Sequence, residues 1–424
     1  MKIERVSLFN SKRDLFIFVS ILLFILSYTL LIEFHNYQSL TRFDSNIVNA
    51  TVLKQYPKSK TTKTGKVKNY QVLKLKSDTG FTFYTTTKKE IPKLTAKTLE
   101  LEIYTKDISF LEYLKIFYAS SKILNTTTTL KHTLNQKIDS VHSDTNSSRI
   151  YQALYTATAL SHELQIVFSN LGISHLFAIS GFHLGVLSFI LFFLLKYPYS
   201  FLQSRFFPYR NAKKDSFIII SIALLAYLLF LDSPASLLRA FTMLLIGFIL
   251  YDRGTKIISM QTLSLTVMIL LVFFPRLLFE LGFWLSVSGV FYIFLFLIHF
   301  KDKSKIWQFV FLPISVYFLM LPYSVAIFSN FSLYHPLSII WTTFFSIFYP
   351  LSIVLHLIGQ GDLLDSVIHL LIKLGSTHNS VVINYIWLYL QIFLSILSVF
   401  YKKALFSLMA LSLTIFIFSL YQIL

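Results

Sequence analysis

The sequence predicts a polytopic α-helical membrane protein with a small β-barrel domain outside the bilayer. Three observations lead there. Of 424 residues, 55% are hydrophobic and only 14% charged, where a soluble chain carries about 25% charged residues. Several apolar runs approach the ~20 residues that cross a bilayer core as a helix. One long segment, 34–172, breaks this pattern with polar, Lys-, Thr- and Ser-rich sequence and no spanning run.

The elements follow in order. Residues 1–33 combine a basic start (Lys2, Arg5, Lys12, Arg13) with a first apolar stretch, Asp14 to Glu33. The stretch is long and lacks a small-residue cleavage site, so it reads as a membrane helix and not as a cleaved signal. Its basic flank predicts a cytoplasmic N-terminus. Residues 34–108 read as the extracytoplasmic barrel. Asn46–Gln55, Asn69–Ser77, Gly80–Thr86 and Thr98–Tyr104 are short, alternating and rich in β-formers. Turn signals at Pro57 with Ser59, at Asp78-Thr79-Gly80 and at Ile91-Pro92 separate them. Strands at this spacing suit an OB-like barrel. Residues 109–172 read as an amphipathic helical linker, interrupted by the Thr run 126–129.

Residues 173–424 read as a multi-helix membrane domain. Spans are expected near 174–196, 216–232, 235–252, 257–274, 281–300, 306–328, 335–358, 380–400 and 403–423. Lys213 and Lys214, Arg253 and Lys256, Lys301, Lys303 and Lys305, and Lys402 and Lys403 mark cytoplasmic loops. Residues 34–172 then lie outside, across a plasma (inner) membrane. Between Lys305 and Lys402 the parity fails, so a segment there is expected to be broken or re-entrant, at Pro313 and Pro322 or at Pro336 and Pro350. Residues 361–375 suit an interfacial helix.

Composition excludes some chemistry. There are no cysteines, hence no disulfide, thiol or Cys-metal site. No Gly-Lys-Ser/Thr phosphate loop occurs, so ATP hydrolysis is not expected within the chain. No metal or cofactor is predicted. The formal net charge is +18, and over half of it sits in residues 34–150, where basic side chains exceed acidic ones by about ten.

The most unusual string runs from Gly172 through His175, Ser180, Gly181 and His183 to Gly185 at the start of an apolar run. Polar side chains in lipid cost several kcal/mol unless paired, so they face a bundle interior or a cavity. Gly181 and Gly185 form a small-xxx-small pair that permits close helix contact. Packing alone, with the imidazoles satisfied by nearby carbonyls, is the plain alternative. Arg239 lies five residues after Pro234, inside or at the mouth of an apolar helix. Pairing with Asp232 or snorkelling to the interface competes with a functional role. Arg276 and Glu280 read as interfacial anchors.

The string His-Leu-Phe-Ala-Ile-Ser-Gly-Phe-His-Leu-Gly (175–185) closely resembles the histidine-flanked hallmark of the ComEC family of competence proteins. Pro234, Ser236 and Arg239 resemble that family's Pro-x-Ser-x-x-Arg-Ala segment, and Leu285, Ser286 and Gly289 a later Leu-Ser-small-Gly segment. Ser332–Ile339 departs from a fourth segment by lacking its Asn. The metallo-β-lactamase-like domain of many members has no counterpart: no His-x-His-x-Asp-His cluster occurs.

The resemblance implies passage of single-stranded DNA into the cytoplasm during natural transformation, without bond chemistry by this chain. His175, Ser180, Gly181, His183, Gly185, Pro234, Ser236, Arg239, Ser286 and Gly289 then form a polar channel seam. The implied partners are single-stranded DNA, the lipid bilayer, a periplasmic DNA-binding protein, a cytoplasmic helicase or motor, and a second copy of the chain.

The outer domain has suitable chemistry. Lys54, Lys58, Lys60, Lys63, Lys66, Lys68, Lys74 and Lys76 have no acidic residue between them. Tyr56 and Tyr70 are interleaved, and Phe81, Phe83 and Tyr84 follow. Basic side chains hold phosphates and aromatic rings stack bases. A solvated basic face over core aromatics is the alternative, since alternation turns about half of the aromatics inward. Two rival functions remain: an intramembrane serine protease with Ser180 as nucleophile, and a small-solute transporter with broken helices.

Overall fold

The computed structural model describes residues 11–61, 67–87, 91–106, 108–253, 257–377 and 380–424. It divides into two compact units: residues 11–161 with 269–280, and residues 162–268 with 281–424.

The first unit opens with α1 (Lys12–Thr41), whose Ser11 and Asp14 cap each other's backbone N–H groups. Then come β1 (Ser45–Thr61), β2 (Val67–Ser77), β3 (Thr82–Thr87), β4 (Lys97–Tyr104), α2 (Phe110–Leu114), β5 (Ile116–Tyr118), β6 (Ser120–Thr128), α3 (Leu130–Val141) and α4 (Thr145–Thr156). The six strands form one sheet in the order β5-β3-β2-β1-β4-β6. All pairings are antiparallel except β3 with β5.

Two expectations need correction. The sheet is not a closed barrel: its edge strands β5 and β6 are consecutive in the chain, separated by Ala119, and do not form a ladder with each other. The stretch 109–172 is not a helical linker throughout. Its Thr run ends strand β6, because β-branched residues fit a pleated surface better than a helix. Pro57 is likewise no turn. It pairs with Gln71 inside a long β1–β2 hairpin, and β4 stops opposite Thr51. That leaves one edge of β1 unpaired, where a missing N–H is tolerated.

One sheet face is the core of this unit. Ala50, Val52, Leu73, Leu75, Phe81, Phe83, Leu99, Leu101 and Ile103 are buried there with Tyr113 and Phe117. The short 3₁₀ turn Pro275–Phe279 joins this unit. Arg276 makes a two-pronged ion pair with Glu33 of α1, at 3.0 and 2.7 Å, with both side chains 16% exposed. Its guanidinium also lies 4.5 Å from the centre of the Tyr113 ring. Removing one partner of such a pair strands the other charge, at about 3–5 kcal/mol. Glu33→Gln is therefore expected to lower the apparent unfolding temperature in detergent more than the double change Glu33→Gln/Arg276→Met. Equal or greater loss in the double variant would contradict this.

The second unit is helical: α5 (His162–Asn170), α6 (Ser174–Phe177), α7 (Gly181–Phe206), α8 (Ala212–Phe230), α9 (Ala235–Asp252), α10 (Met260–Phe273, whose last turn belongs to the first unit), α11 (Leu281–His299), α12 (Lys305–Phe328), α13 (Ser338–Leu357), α14 (Asp365–Gly375), α15 (Tyr385–Phe400) and α16 (Lys402–Ile423). Among the described residues, α1, α7, α9, α11, α12, α13 (with the 3₁₀ turn before it) and α16 are long and apolar enough to cross a membrane. The chain is a multi-pass membrane protein.

Pro313, Pro322 and Pro350 lie inside continuous helices, and only Pro336 sits at a break, in the 3₁₀ turn His335–Leu337. Residues 361–375 form a 3₁₀ turn and the amphipathic α14. A buried polar cluster holds α11, α12, α15 and α16 together. Tyr292 Oη bonds Ser395 Oγ at 2.7 Å and Tyr323 Oη at 3.1 Å, and Gln391 donates to the Leu319 carbonyl at 3.0 Å. Hydrogen bonds of this kind bind helices where lipid removes the hydrophobic drive between them.

Candidate functional site

The string 172–185 does not enter one long helix. It forms α6, an extended break at Ala178–Ser180, and then α7 from Gly181. Unwound backbone in a membrane protein needs partners for its polar groups. Ser236 supplies one by donating its hydroxyl to the Ile179 carbonyl at 2.7 Å. Ser236 sits in the first turn of α9, just after Pro234. The turn into Pro234 holds Asp232 and Ser233 at φ +61° and +53°, a left-handed conformation that costs such residues about 1–2 kcal/mol each.

Arg239 lies one turn further along α9 and is 5% exposed. Its Nε donates to Ser286 Oγ of α11 at 2.9 Å, and Nη1 approaches the Met243 sulfur at 3.2 Å. Among the described residues it has no ion pair, with Asp232 or any other carboxylate. Gly181, first residue of α7, makes room for it: a Cβ there would lie 2.9 Å from Ala240 Cβ and 3.2 Å from Arg239 Nη2. The three separate sequence segments thus meet at one guanidinium.

The remaining seam residues divide. His183 is fully buried. Its Nδ1 accepts the Ser180 backbone N–H at 3.2 Å and lies 3.2 Å from Ser180 Oγ. Its Nε2 has no hydrogen-bond partner among the described residues. The ring is wedged against Phe345 and Tyr349 of α13. His175 lies on the exposed side of α6, with Thr342 Oγ1 at 3.5 Å from its Nε2. A Cβ at Gly185 or Gly289 would meet nothing within 4 Å. These two glycines leave space and do not close a helix contact, so the expected small-xxx-small packing holds at Gly181 alone.

Sequence reasoning missed a second buried histidine. His335 is 3% exposed and bonds Tyr317 Oη through Nδ1 at 2.9 Å. It stacks on Phe331 and lies directly over Gly172. It occupies the segment where the family Asn is missing, which was the available signal. Two apolar cavities lie in this unit. One is lined by Phe177, Trp341, Phe345 and Leu371 among others, and one lies between α8 and α9. Neither is lined by Arg239 or His183.

In the first unit, alternation places Lys54, Lys58, Lys60, Lys68, Lys74 and Lys76 on one sheet face. Lys54 pairs with Lys74, Lys58 with Tyr70, Lys60 with Lys68, and Thr51 with Lys76. Tyr56 falls on the same face, with Lys54 Nζ 5.6 Å from its ring centre. The ladder extends the face to Tyr84, opposite Lys74, and to Tyr118, opposite Tyr84; Tyr118 was not legible as part of it. Partial burial, then the neighbouring Lys74 charge, pull the Lys54 ammonium below its ordinary pKa. A bound anion would offset the second cause.

Phe83 is a correction: it is fully buried on the opposite face, 5.8 Å from Phe117, and cannot stack on a base. Phe81 is buried beside it. Lys63 and Lys66 lie outside the described residues.

No curated protein and no solved structure matched the chain in the comparisons. A protein-family scan matched the family described as "Competence protein" over residues 156–423. That span contains every seam residue and exceeds half of the chain, so this multi-pass membrane protein belongs to the competence protein family and has its role in competence DNA uptake.

Proposed function

We propose that the chain is the plasma (inner) membrane channel that passes single-stranded DNA into the cytoplasm during natural transformation, with its N-terminus inside and residues 34–172 outside. The observation that carries this reading is Arg239. A charge in the membrane costs about 2.5–3.5 kcal/mol on insertion scales, and here it is held by a hydroxyl and a thioether, with no carboxylate on it among the described residues. A passing phosphate is the missing anion. The seam is packed shut around Arg239 and His183, so passage requires α7, α9 and α11 to part.

The outer domain is read as an OB-like fold whose sheet stays open between β5 and β6. Support comes from the parallel β3–β5 pairing and from the near-continuity of β5 into β6, which pairs β4 at the other edge. Its basic, tyrosine-bearing face receives the strand. A periplasmic DNA-binding protein delivers DNA, a cytoplasmic helicase or motor draws it in, and a second copy of the chain completes the pore. No bond chemistry and no cofactor are assigned to the chain. Substituting Lys54, Lys74 and Lys76 by Gln in the full chain tests the receiving face. Each lost phosphate contact should flatten the log–log salt dependence of oligothymidylate binding by about 0.7, about 2 in total. An unchanged slope would exclude this face.

The serine protease reading has one observation in favour, the 3.2 Å contact of Ser180 Oγ with His183 Nδ1. The same nitrogen accepts the Ser180 backbone N–H, so its lone pair is shared, and among the described residues no carboxylate bonds His183. Ser180→Ala with full retention of DNA uptake would argue against proteolysis as the mechanism.

A further inference from the structure

The groove between α8 and α9 has no part in the seam. Its volume is about 420 Å³, within the ~300–1,000 Å³ range of ligand sites. Phe217 and Phe248 form one end, stacked at 3.6 Å. Ile218, Ile222 and Ile249 line it and are 50%, 63% and 57% exposed, so it opens to the surface of the helix pair.

The start of α8 and the end of α9 share one end of this antiparallel pair, and that end is basic. Lys214 is neutralised by Asp252 at 2.7 Å, and Arg210 by Asp215 at 2.8 Å. Lys213 and Arg253 are exposed and have no ion pair among the described residues. Lys213 stands four residues before Phe217, and Arg253 four after Ile249, so each shares a helix row with a groove residue. An apolar trough below two uncompensated cations suits an anionic amphiphile. A packed helix from another protein would fill the trough but leave the cations unanswered.

We propose that this groove is a binding site for an anionic phospholipid, with an acyl chain along Phe217, Ile222 and Ile249 and the phosphate held by Lys213 and Arg253. Basic pockets between membrane helices bind lipid headgroups in this way.

The test is native mass spectrometry of the full chain in detergent, with phosphatidylglycerol or phosphatidylcholine of identical acyl chains added. The wild type should retain phosphatidylglycerol preferentially. Lys213→Gln and Arg253→Gln should each cut that preference about fivefold, the ~1 kcal/mol of one basic side chain at an anionic surface. Lys305→Gln, at a different basic loop, should leave it unchanged. Ile222→Trp, which fills the trough, should reduce retention of both lipids. Equal retention of the two lipids by the wild type would overturn the proposal, as would an equal loss on Lys305→Gln, which reports general surface charge. Because the chain has no cysteines, Ile222→Cys gives an independent check. A disulfide-linked dimer through that position would show a second copy, not a lipid, in the groove.

Discussion

Replacing Arg239 by Met should abolish transformation while leaving the protein inserted and at least as stable as the wild type. The physical argument separates function from packing. Removing a structural ion-pair partner destabilises, because the other charge is stranded. Among the described residues Arg239 has no such partner. Its loss forfeits one hydrogen bond to Ser286, about 1–3 kcal/mol for a charged donor, and relieves a burial penalty of similar size. The fold should therefore be indifferent.

DNA passage should not be. On the proposed path, loss of the guanidinium removes a fixed counter-charge for the phosphate at this point, and the expected fall in transformation frequency is 100-fold or more. Labelled DNA should still reach the protected state outside the cytoplasm. Arg239→Lys should recover part of the activity, since it keeps the charge but not the two-pronged geometry. Normal cytosolic arrival of DNA in the Met variant would contradict the role given to Arg239. So would loss of the folded protein.

The second large effect is on stability. Gly172→Val should lower the apparent unfolding temperature sharply, with a cost of roughly 3 kcal/mol or more. Two causes add. Gly172 has φ +68°, which costs an L-residue about 1–2 kcal/mol and a β-branched one more. A Cβ there would also lie 2.7–2.9 Å from three atoms of the His335 ring. That ring cannot swing away cheaply, because it is bonded to Tyr317 and stacked on Phe331. Overpacking of this kind adds about 1–3 kcal/mol. If the ring contact matters, Gly172→Ala and His335→Ala should be non-additive in a double-mutant cycle. Strict additivity would reduce the effect to backbone strain alone.

The membrane architecture was legible because hydropathy reports directly on the solvent a helix needs. Helices α9, α11 and α12 begin and end within a residue or two of their expected limits for that reason. The break at Ala178–Ser180 was not legible. Nothing in Ala-Ile-Ser forbids a helix; the partner that permits unwinding is Ser236, 57 residues away.

The same logic explains the sheet. Alternation from Lys54 to Lys60 and from Lys68 to Lys76 did place the basic residues on one face once the register was known. The register itself depends on the irregularity between Val52 and Lys54, which no local signal announces. Phe83 illustrates the cost. In a strand of six residues, choosing between Phe83 and Tyr84 for the outer face means choosing which side is core, and that is set by Phe117 and Tyr113, more than 25 residues away. Strand β6 was hidden because a Thr run reads equally as a loop until β4 is beside it. For His335 the sequence offered only the missing family Asn in its segment, a departure that does not itself point to a buried histidine.

The most direct measurement exploits the absence of cysteines. Single cysteines placed at Ser236, Ser286 and Gly289, and at the exposed Phe393 as control, can each carry a photoreactive group in competent cells. Illumination during uptake of labelled DNA should give protein–DNA adducts at the first three positions and none at Phe393. Adducts confined to the lysine face of the sheet, with none at Ser236, Ser286 or Gly289 while DNA still enters the cytoplasm, would contradict a strand path past Arg239.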